Sequence, residues 1–239
     1  MIGAMKASSL RARLPLHARA EAVELLESGV LSQDDVERNL RDLARFNRLP
    51  GGSGASVQAM RRLGAGGPGL RILDVGTGLG DMPLSFARHG WRTVAIDTNP
   101  QVLAAARAAT AGQPLVEVAE ADGLGLPFDD AAFDVAHSSL LMHHLAPDQA
   151  VVALREMRRV ARLGVVVNDL RRGLLPLAVT GVTVLALGRS HVTRNDGIVS
   201  ARRAYTVDEL YQLLDAAGLV GTWRSTPWFP RLAIAAVAR

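Results

Sequence analysis

The sequence predicts an α/β protein built on a doubly wound, mostly parallel sheet. Three observations predict it. Short, β-rich apolar runs alternate with helical patterns between residues 70 and 217. One of these runs, Ile72 to Val75, ends in the glycine turn Gly76-Thr77-Gly78-Leu79-Gly80 ahead of a helical pattern. The last two strand-like runs follow one another without a helix between them, which fits a terminal antiparallel hairpin. With 239 residues, 49% of them apolar, the chain is long enough for one such domain with a small appendage.

In chain order, a helix is predicted over 17–28, where Ala20, Val23, Leu25 and Leu26 fall on a helical period and Gly29 stops it. Ser32 can cap a second helix, with Asp34, Asp35 and Glu37 near its positive end and Val36, Leu40, Leu43 and Phe46 on one face. Pro50 and the glycines after it break that pattern, and a short helix over 57–63 follows. Strands are then expected over 71–75, 91–96, 115–119, 133–137, 165–168, 219–225 and 231–237. Helices are expected over 82–89, 101–109, 147–162 and 206–217. The last is capped by Thr206 with Glu209 at the capping-box position and ended by Gly218. The uncharged stretch 173–188 is shorter than the ~20 residues of a bilayer span and contains Pro176, so it reads as a buried or substrate-facing helix. After it, 191–197 reads as a polar loop. This gives a helical arm or lid over 1–63 and a ligand-binding domain over 64–239, with a pocket-building insertion at about 170–205.

Composition removes several chemistries. Without cysteine there is no disulfide, thiolate metal site or cysteine nucleophile. The single lysine, Lys6, lies far from the glycine turn, so a Walker phosphate loop, a lysine Schiff base and a Tyr-x-x-x-Lys dehydrogenase pair all lack their lysine. The formal charge of +4 comes from scattered arginines and reads as solvated helix faces, with no nucleic-acid partner. Residues 1–16 are basic without the apolar centre of a secretory signal, and the expectation is a cytoplasmic protein without stable membrane insertion.

Asp74 lies two residues before Gly76. A carboxylate there suits a ligand with a cationic end, whereas a pyrophosphate would be repelled. Asp97 ends the second strand, where a carboxylate can accept both hydroxyls of a ribose. Asp122-Gly123 follows the third strand. Ser138 and the run Leu141-Met142-His143-His144-Leu145 leave the fourth at the sheet's carboxyl edge, where α/β sheets bind ligands.

Asp-x-Gly-x-Gly-x-Gly, followed at matching spacings by Asp97, by Asp122 and by Pro127-Phe128 with Phe133-Asp134, resembles the class I S-adenosylmethionine (SAM) methyltransferases. The resemblance covers 70–169 well and the flanks loosely. The "NLRDLARFNR" arm and the tail are similar to bacterial methyltransferases that accompany polyketide and phenolic-lipid biosynthesis. It implies a seven-stranded Rossmann-like sheet, SAM as cofactor and S-adenosylhomocysteine as product. It also implies a small-molecule acceptor with an aromatic or lipid-like hydroxyl. The implied cofactor contacts are Asp74, Gly76, Thr77, Gly78, Asp97, Thr98, Asp122, Gly123 and Ser138. His143 is the candidate base, since a neutral imidazole can take a proton from an attacking hydroxyl. His191, Arg194 and Tyr205 are the candidate acceptor contacts. Asn168-Asp169 reverses the acid–amide order of metal-dependent catechol methyltransferases and lacks their third acid, so no metal is expected. The competing readings are a nicotinamide oxidoreductase, whose glycine spacing and lysine are absent, and a non-catalytic module of the same fold.

Overall fold

The computed structural model describes residues 19, 20, 22, 24–225 and 230–239. Its strands are β1 (Arg71–Val75), β2 (Arg92–Asp97), β3 (Val116–Glu120), β4 (Phe133–Ser139), β5 (Ala161–Leu170), β6 (Leu219–Arg224) and β7 (Arg231–Ala238). They form one seven-stranded sheet in the order β3-β2-β1-β4-β5-β7-β6. β1 pairs in parallel with β2 and β4, β2 with β3 and β4 with β5, while β7 runs antiparallel to β5 and β6. The doubly wound sheet and its closing hairpin are as the sequence predicts. The strand order reverses at β1, so the crevice beyond the carboxyl ends of β1 and β4 is the fold's natural ligand site.

The helices are α1 (Gln33–Phe46), α2 (Ser53–Arg62), α3 (Asp81–Ala87), α4 (Pro100–Thr110), α5 (Pro147–Val160), α6 (Leu174–Leu187), α7 (His191–Arg203) and α8 (Val207–Ala216). Two caps match their sequence signals. Ser32 accepts from the Asp35 N–H at α1, and Thr206 and Glu209 close a reciprocal box at α8.

Side chains alternate across the strands, so each strand feeds both faces of the sheet. Leu73, Val75, Ala136, Val165 and Val167 pack beneath α5 and α8 with Leu154, Met157, Leu210 and Leu214. Ile72, Val135, Val166, Ala233 and Ala235 face the other way, against Val57 and Met60 of α2, Phe86 of α3 and Trp91. Thus α2, within the 1–63 segment, belongs to the packing of the sheet itself. α1 contributes Val36 and Leu40 to a separate cluster with Val102 and Ala105 of α4.

Three expectations are corrected. The 17–28 helix reduces, among its described residues, to one 3-10 turn at Leu25–Ser28, and the Ala20 N–H bonds to Arg202 O instead of closing a helical turn. Residues 17, 18, 21 and 23 lie outside the described residues, as does most of the turn before Pro230. The polar loop predicted over 191–197 is the first half of α7, capped by Ser190, whose side chain accepts from the Val192 N–H. Gly197, the last residue of that predicted loop, is where α7 and α6 touch: a Cβ there would lie 2.5 Å from Val184 Cγ1. Finally, 173–188 does form a helix, α6, but one whose outer side is exposed.

Candidate active site

The glycine turn after β1 follows backbone geometry that side chains resist. Gly76 and Gly78 have φ of 73° and 56°. The Gly76 and Thr77 N–H groups both donate to Ile96 O, at 2.9 and 3.0 Å, which ties the turn to the end of β2. Beside it opens a cavity of about 400 Å³, whose lining includes Asp74, Gly76, Thr77, Gly78, Asp81, Asp97, Thr98, Asn99 and Ser139.

Asp97 stands at the rim of this cavity. Its Oδ1 accepts from the Asn99 N–H at 3.0 Å. Burial pushes its carboxyl above the usual aspartate range, while the backbone N–H groups of Asn99, Gly78 and Thr98 pull against that rise. Past Gly76, Asp97 and Thr98 the cavity continues into a smaller recess lined by Ala121, Asp122, Gly123, Leu124, Leu141 and Leu145. Asp122 is exposed there, and its Oδ1 accepts from the Leu124 N–H at 2.9 Å. Eight of the nine cofactor candidates therefore line two adjoining cavities that share Gly76, Asp97 and Thr98, together called the groove below. Ser138 is the exception. It pairs with Val75 and Val167 and shares their face of the sheet, so its buried side chain points toward the α5 and α8 core. Ser139, one residue on, faces the groove.

Asp74 is buried, and both of its oxygens are engaged. Thr77 Oγ1 donates to Oδ2 at 2.8 Å, and His137 Nδ1 lies 2.6 Å from Oδ1. With the proton on Nδ1, His137 Nε2 accepts from the Ser56 hydroxyl at 2.9 Å, and Ser56 Oγ in turn accepts from Asn168 Nδ2 at 2.8 Å. Arg231 Nε donates to Asn168 Oδ1 at 3.1 Å, Arg231 also bonds Asn47 Oδ1, and its third nitrogen donates to Ser139 Oγ at 2.7 Å. Asn47 Nδ2 closes the chain on Asp81 Oδ2 at 2.8 Å. Burial lowers the Arg231 guanidinium to about 10, with Asp169 and Asp81 opposing. Burial likewise raises Asp81, against its bond from Asn47.

The strand pattern explains this network. On the α2 side, each of three parallel strands is apolar and then turns polar at its carboxyl end: Ile72 then Asp74, Val135 then His137 and Ser139, Val166 then Asn168. Sequence reasoning passed over His137, Ser56, Ser139, Asp81 and Arg231. The signal for the strand residues was the switch from apolar to polar at a period of two, and nothing local marks Ser56 or Arg231.

At the far end of the groove, Leu26, Leu43, Leu140 and His144 are shared with a second cavity. Leu140 holds φ of 55°, a left-handed conformation uncommon outside glycine, at the exit of β4. Phe46, Leu49, Pro50, Leu170 and Val184 make the second cavity largely apolar. His143 sits in its wall, and its ring is held by Asp169: Nδ1 lies 2.6 Å from Oδ1, and the His143 backbone N–H donates to Oδ2 at 3.2 Å. Burial pushes the Asp169 carboxyl up, but the His143 charge and hydrogen bond and the Leu170 N–H outweigh it and hold it below the usual range. A carboxylate at Nδ1 fixes the proton there and leaves Nε2 as the basic nitrogen. On that side stands Glu24, with Oε1 3.7 Å from His143 Nε2 and Oε2 3.8 Å from His144 Nε2. Ligand-type atoms of these three residues lie within 4.8 Å of one another.

Glu24 is placed by α7. Asp196 accepts from the Leu25 and Leu26 N–H groups at 2.9 and 3.1 Å, and Ser200, one turn on, donates to Glu24 Oε1 at 2.7 Å. The acceptor candidates drawn from this region fall elsewhere. His191 and Arg194 are exposed on the outer side of α7, and Arg194 Nε donates to Gly188 O at 3.0 Å. Thr193, Asp196, Gly197 and Ser200, at helical spacing, are the residues of α7 that line the cavity. Tyr205 is buried outside the cavity wall, where its hydroxyl donates to Leu145 O at 2.8 Å and props the segment carrying His143. A loop offers no faces to sort, whereas the helix that forms presents every third or fourth residue to the cavity.

Comparison with known proteins gives this architecture its family. The methyltransferase domain family matches residues 73–167, from β1 to β5. Residues 73–167 are a methyltransferase domain. A demethylmenaquinone methyltransferase of Roseiflexus castenholzii is 39% identical over 98 residues, 39% of each chain. An uncharacterized methyltransferase of Mycobacterium sp. strain JLS is 40% identical over 96 residues, covering 40% of this chain and 36% of that one. The chain thus spans little more than a third of the length of the curated relatives it matches. The whole fold is similar to that of a SAM-dependent methyltransferase from Aquifex aeolicus, at 18% identity and a TM-score of 0.62, over 86% of this chain and 98% of that one. The domain thus has the Rossmann-like fold of the class I, SAM-dependent methyltransferases, as the glycine and aspartate motifs imply.

Proposed function

We propose that the chain transfers the methyl group of SAM to a hydroxyl of an apolar, aromatic or lipid-like small molecule. The observation that carries this reading is a row of three adjoining cavities that share wall residues. It begins at Asp122, passes Asp97 and the glycine turn, and opens past Leu140 into an apolar cavity with His143 in its wall. Asp97 would take the ribose hydroxyls and Asp122 the adenine amino group. The anionic wall formed by Asp74 and its neighbour Asp81 suits the cationic amino-acid end. SAM brings an electrophilic methyl group on a sulfonium, and the protein's own part is to exclude water, align the acceptor and move one proton.

The attacking hydroxyl gives its proton to His143 Nε2. Asp169 holds the ring in that tautomer, and Glu24 faces the imidazolium that forms. No covalent protein intermediate is needed. The Roseiflexus relative, whose name gives demethylmenaquinone as its acceptor, supports a redox-type aromatic as the first acceptor to try.

Calorimetry should give heat with SAM and S-adenosylhomocysteine and none with NAD(P). Incubation with methyl-labelled SAM and a panel of alkylated phenols and hydroquinones should then give a methyl ether, told from its ring-methyl isomer by the methyl shift in NMR. Binding of NAD(P) instead of the adenosyl ligands would overturn the cofactor assignment. Tight SAM binding with label in none of the panel would overturn the acceptor class. Loss of transfer after chelation would move Glu24, His143 and His144 from proton transfer to metal binding.

A further inference from the structure

α6 has no charged residue along its 14 positions. Helices that are apolar all round are normally buried on all sides. This one is not. It rests on α7 through Val184 at Gly197 and through Gly181 at Ile198, and it leaves its opposite side open. Leu174, Leu175, Val182 and Leu185, each between 61% and 69% exposed, fall on that side, and with Leu187 at the last residue of the helix they account for five of the eight large apolar side chains exposed among the described residues. An exposed apolar face of this kind marks an interaction surface.

We propose that this face of α6 docks on the surface of an anionic phospholipid bilayer, lying in the interface plane. The chemistry of the face favours lipid over a protein. Its large exposed side chains are all leucine or valine, without the aromatic, methionine and arginine anchors that protein interfaces concentrate. Hydrocarbon asks for nothing more. Charge agrees. Between Asp169 and Asp196, both buried, there is no acidic residue, and Arg171 precedes the helix while Arg189 and Arg194 follow it. Basic residues flanking an apolar helix are attracted to anionic headgroups. At about 1.5 Å per residue the helix is roughly 21 Å long, too short to cross and suited to lying flat.

The position of α6 gives the docking a purpose. Its inner side, with Thr180, Thr183 and Val184, lines the apolar cavity beside His143. One helix would separate the hydrocarbon from the acceptor pocket, so a lipid-dissolved acceptor need never cross water. This last step rests on the acceptor class proposed above, whereas the docking itself does not.

The test uses the full chain and sucrose-loaded vesicles, of phosphatidylcholine alone or with a quarter phosphatidylglycerol. The protein should sediment with the anionic vesicles, less so at high salt. The double variant Leu175→Glu, Leu185→Glu should partition at least about tenfold more weakly. Its thermal melt and its affinity for S-adenosylhomocysteine should stay as in the parent, which keeps loss of fold apart from loss of docking. Arg189→Gln with Arg194→Gln should weaken anionic binding and leave the weaker neutral binding unchanged. The proposal is overturned if the parent stays in the supernatant with both vesicle types. It is equally overturned if light scattering finds a dimer that the double glutamate variant splits, because the face would then be a self-interface. Either result leaves cofactor binding and its calorimetric test untouched.

Discussion

The cavity proposed for the cofactor stands on strand ends, and the cavity proposed for the acceptor stands on helix faces. Around Asp74 the strand residues are set by sheet register: neighbouring strands bring Asp74, His137, Ser139 and Asn168 to one face. Around His143 the walls come from α1 and the segment holding Glu24 on one hand and from α6 and α7 on the other, two stretches separated by more than a hundred residues and joined by side-chain clamps such as Asp196 and Ser200. Backbone ladders make the first half rigid and recurrent, which is why a family spanning β1 to β5 captures it. The second half is free to vary, and specificity belongs there.

The largest effect expected from separating the halves is at Asp169. Asp169→Asn keeps the shape but lets the His143 ring take either tautomer, so kcat should fall by about 10²–10⁴-fold. The affinity for S-adenosylhomocysteine should stay within about twofold, since Asp169 lines no part of the cofactor groove. Equal losses in both quantities would mean that the halves are not separable at this residue.

Arg231 couples them. It lines the apolar cavity, donates to Ser139 in the groove and bonds Asn168 and Asn47. Arg231→Met would leave these buried acceptors without donors and should cost on the order of 3 kcal/mol, a fall in Tm of roughly 6–12 °C. Thermal denaturation with and without S-adenosylhomocysteine checks this. A variant as stable as the parent would mean that the network is incidental to the fold.

Asp97→Ala should weaken S-adenosylhomocysteine by about ten- to a hundredfold, the loss of a charge-assisted acceptor. Its raised carboxyl also sets a pH signature with two opposite signs. The ligand needs the carboxylate, so affinity should decline on acidification beginning at a higher pH than an ordinary aspartate would impose. Its contribution to the stability of the empty protein runs the other way: present below the unfolded pKa, it is lost as pH rises through the folded one. Calorimetry across pH should show the decline in the parent and none of this component in Asp97→Asn.

What could be read in the sequence follows the same division. Asp74, Asp97 and Asp122 are legible because each sits next to the strand end that places it, and a strand end can be located from a few residues. Ser138 shows how narrow the margin is: one residue of register sends it to the α5 and α8 face and brings Ser139 to the groove. His143 is legible as a residue, but its partner Asp169 is not legible as a partner, since β4 and β5 must first pair. The residues of α7 that line the second cavity are hard to read for another reason. His191, Thr193, Arg194 and Asn195 look like a loop by composition, and only packing of Gly197 on Val184 makes them a helix with an inner face.

The smallest expected effect tests the boundary between the halves. Leu140 holds its left-handed backbone while its N–H donates to Asn168 O at 3.0 Å and its side chain borders both cavities. Leu140→Gly would relieve a strain of roughly 1 kcal/mol and remove the partition at the same time. Stability should therefore change by less than about 1 kcal/mol, because glycine also raises the entropy of the unfolded chain. Kinetics should change more: a widened passage leaves the acceptor less well held against the methyl group, so KM for the acceptor should rise about threefold to tenfold. SAM affinity should not follow it, as Asp97 and the glycine turn are untouched. If KM for the acceptor and affinity for SAM moved together, Leu140 would not separate the two sites, and the division between a sheet-built half and a helix-built half would lie further out, beyond His144.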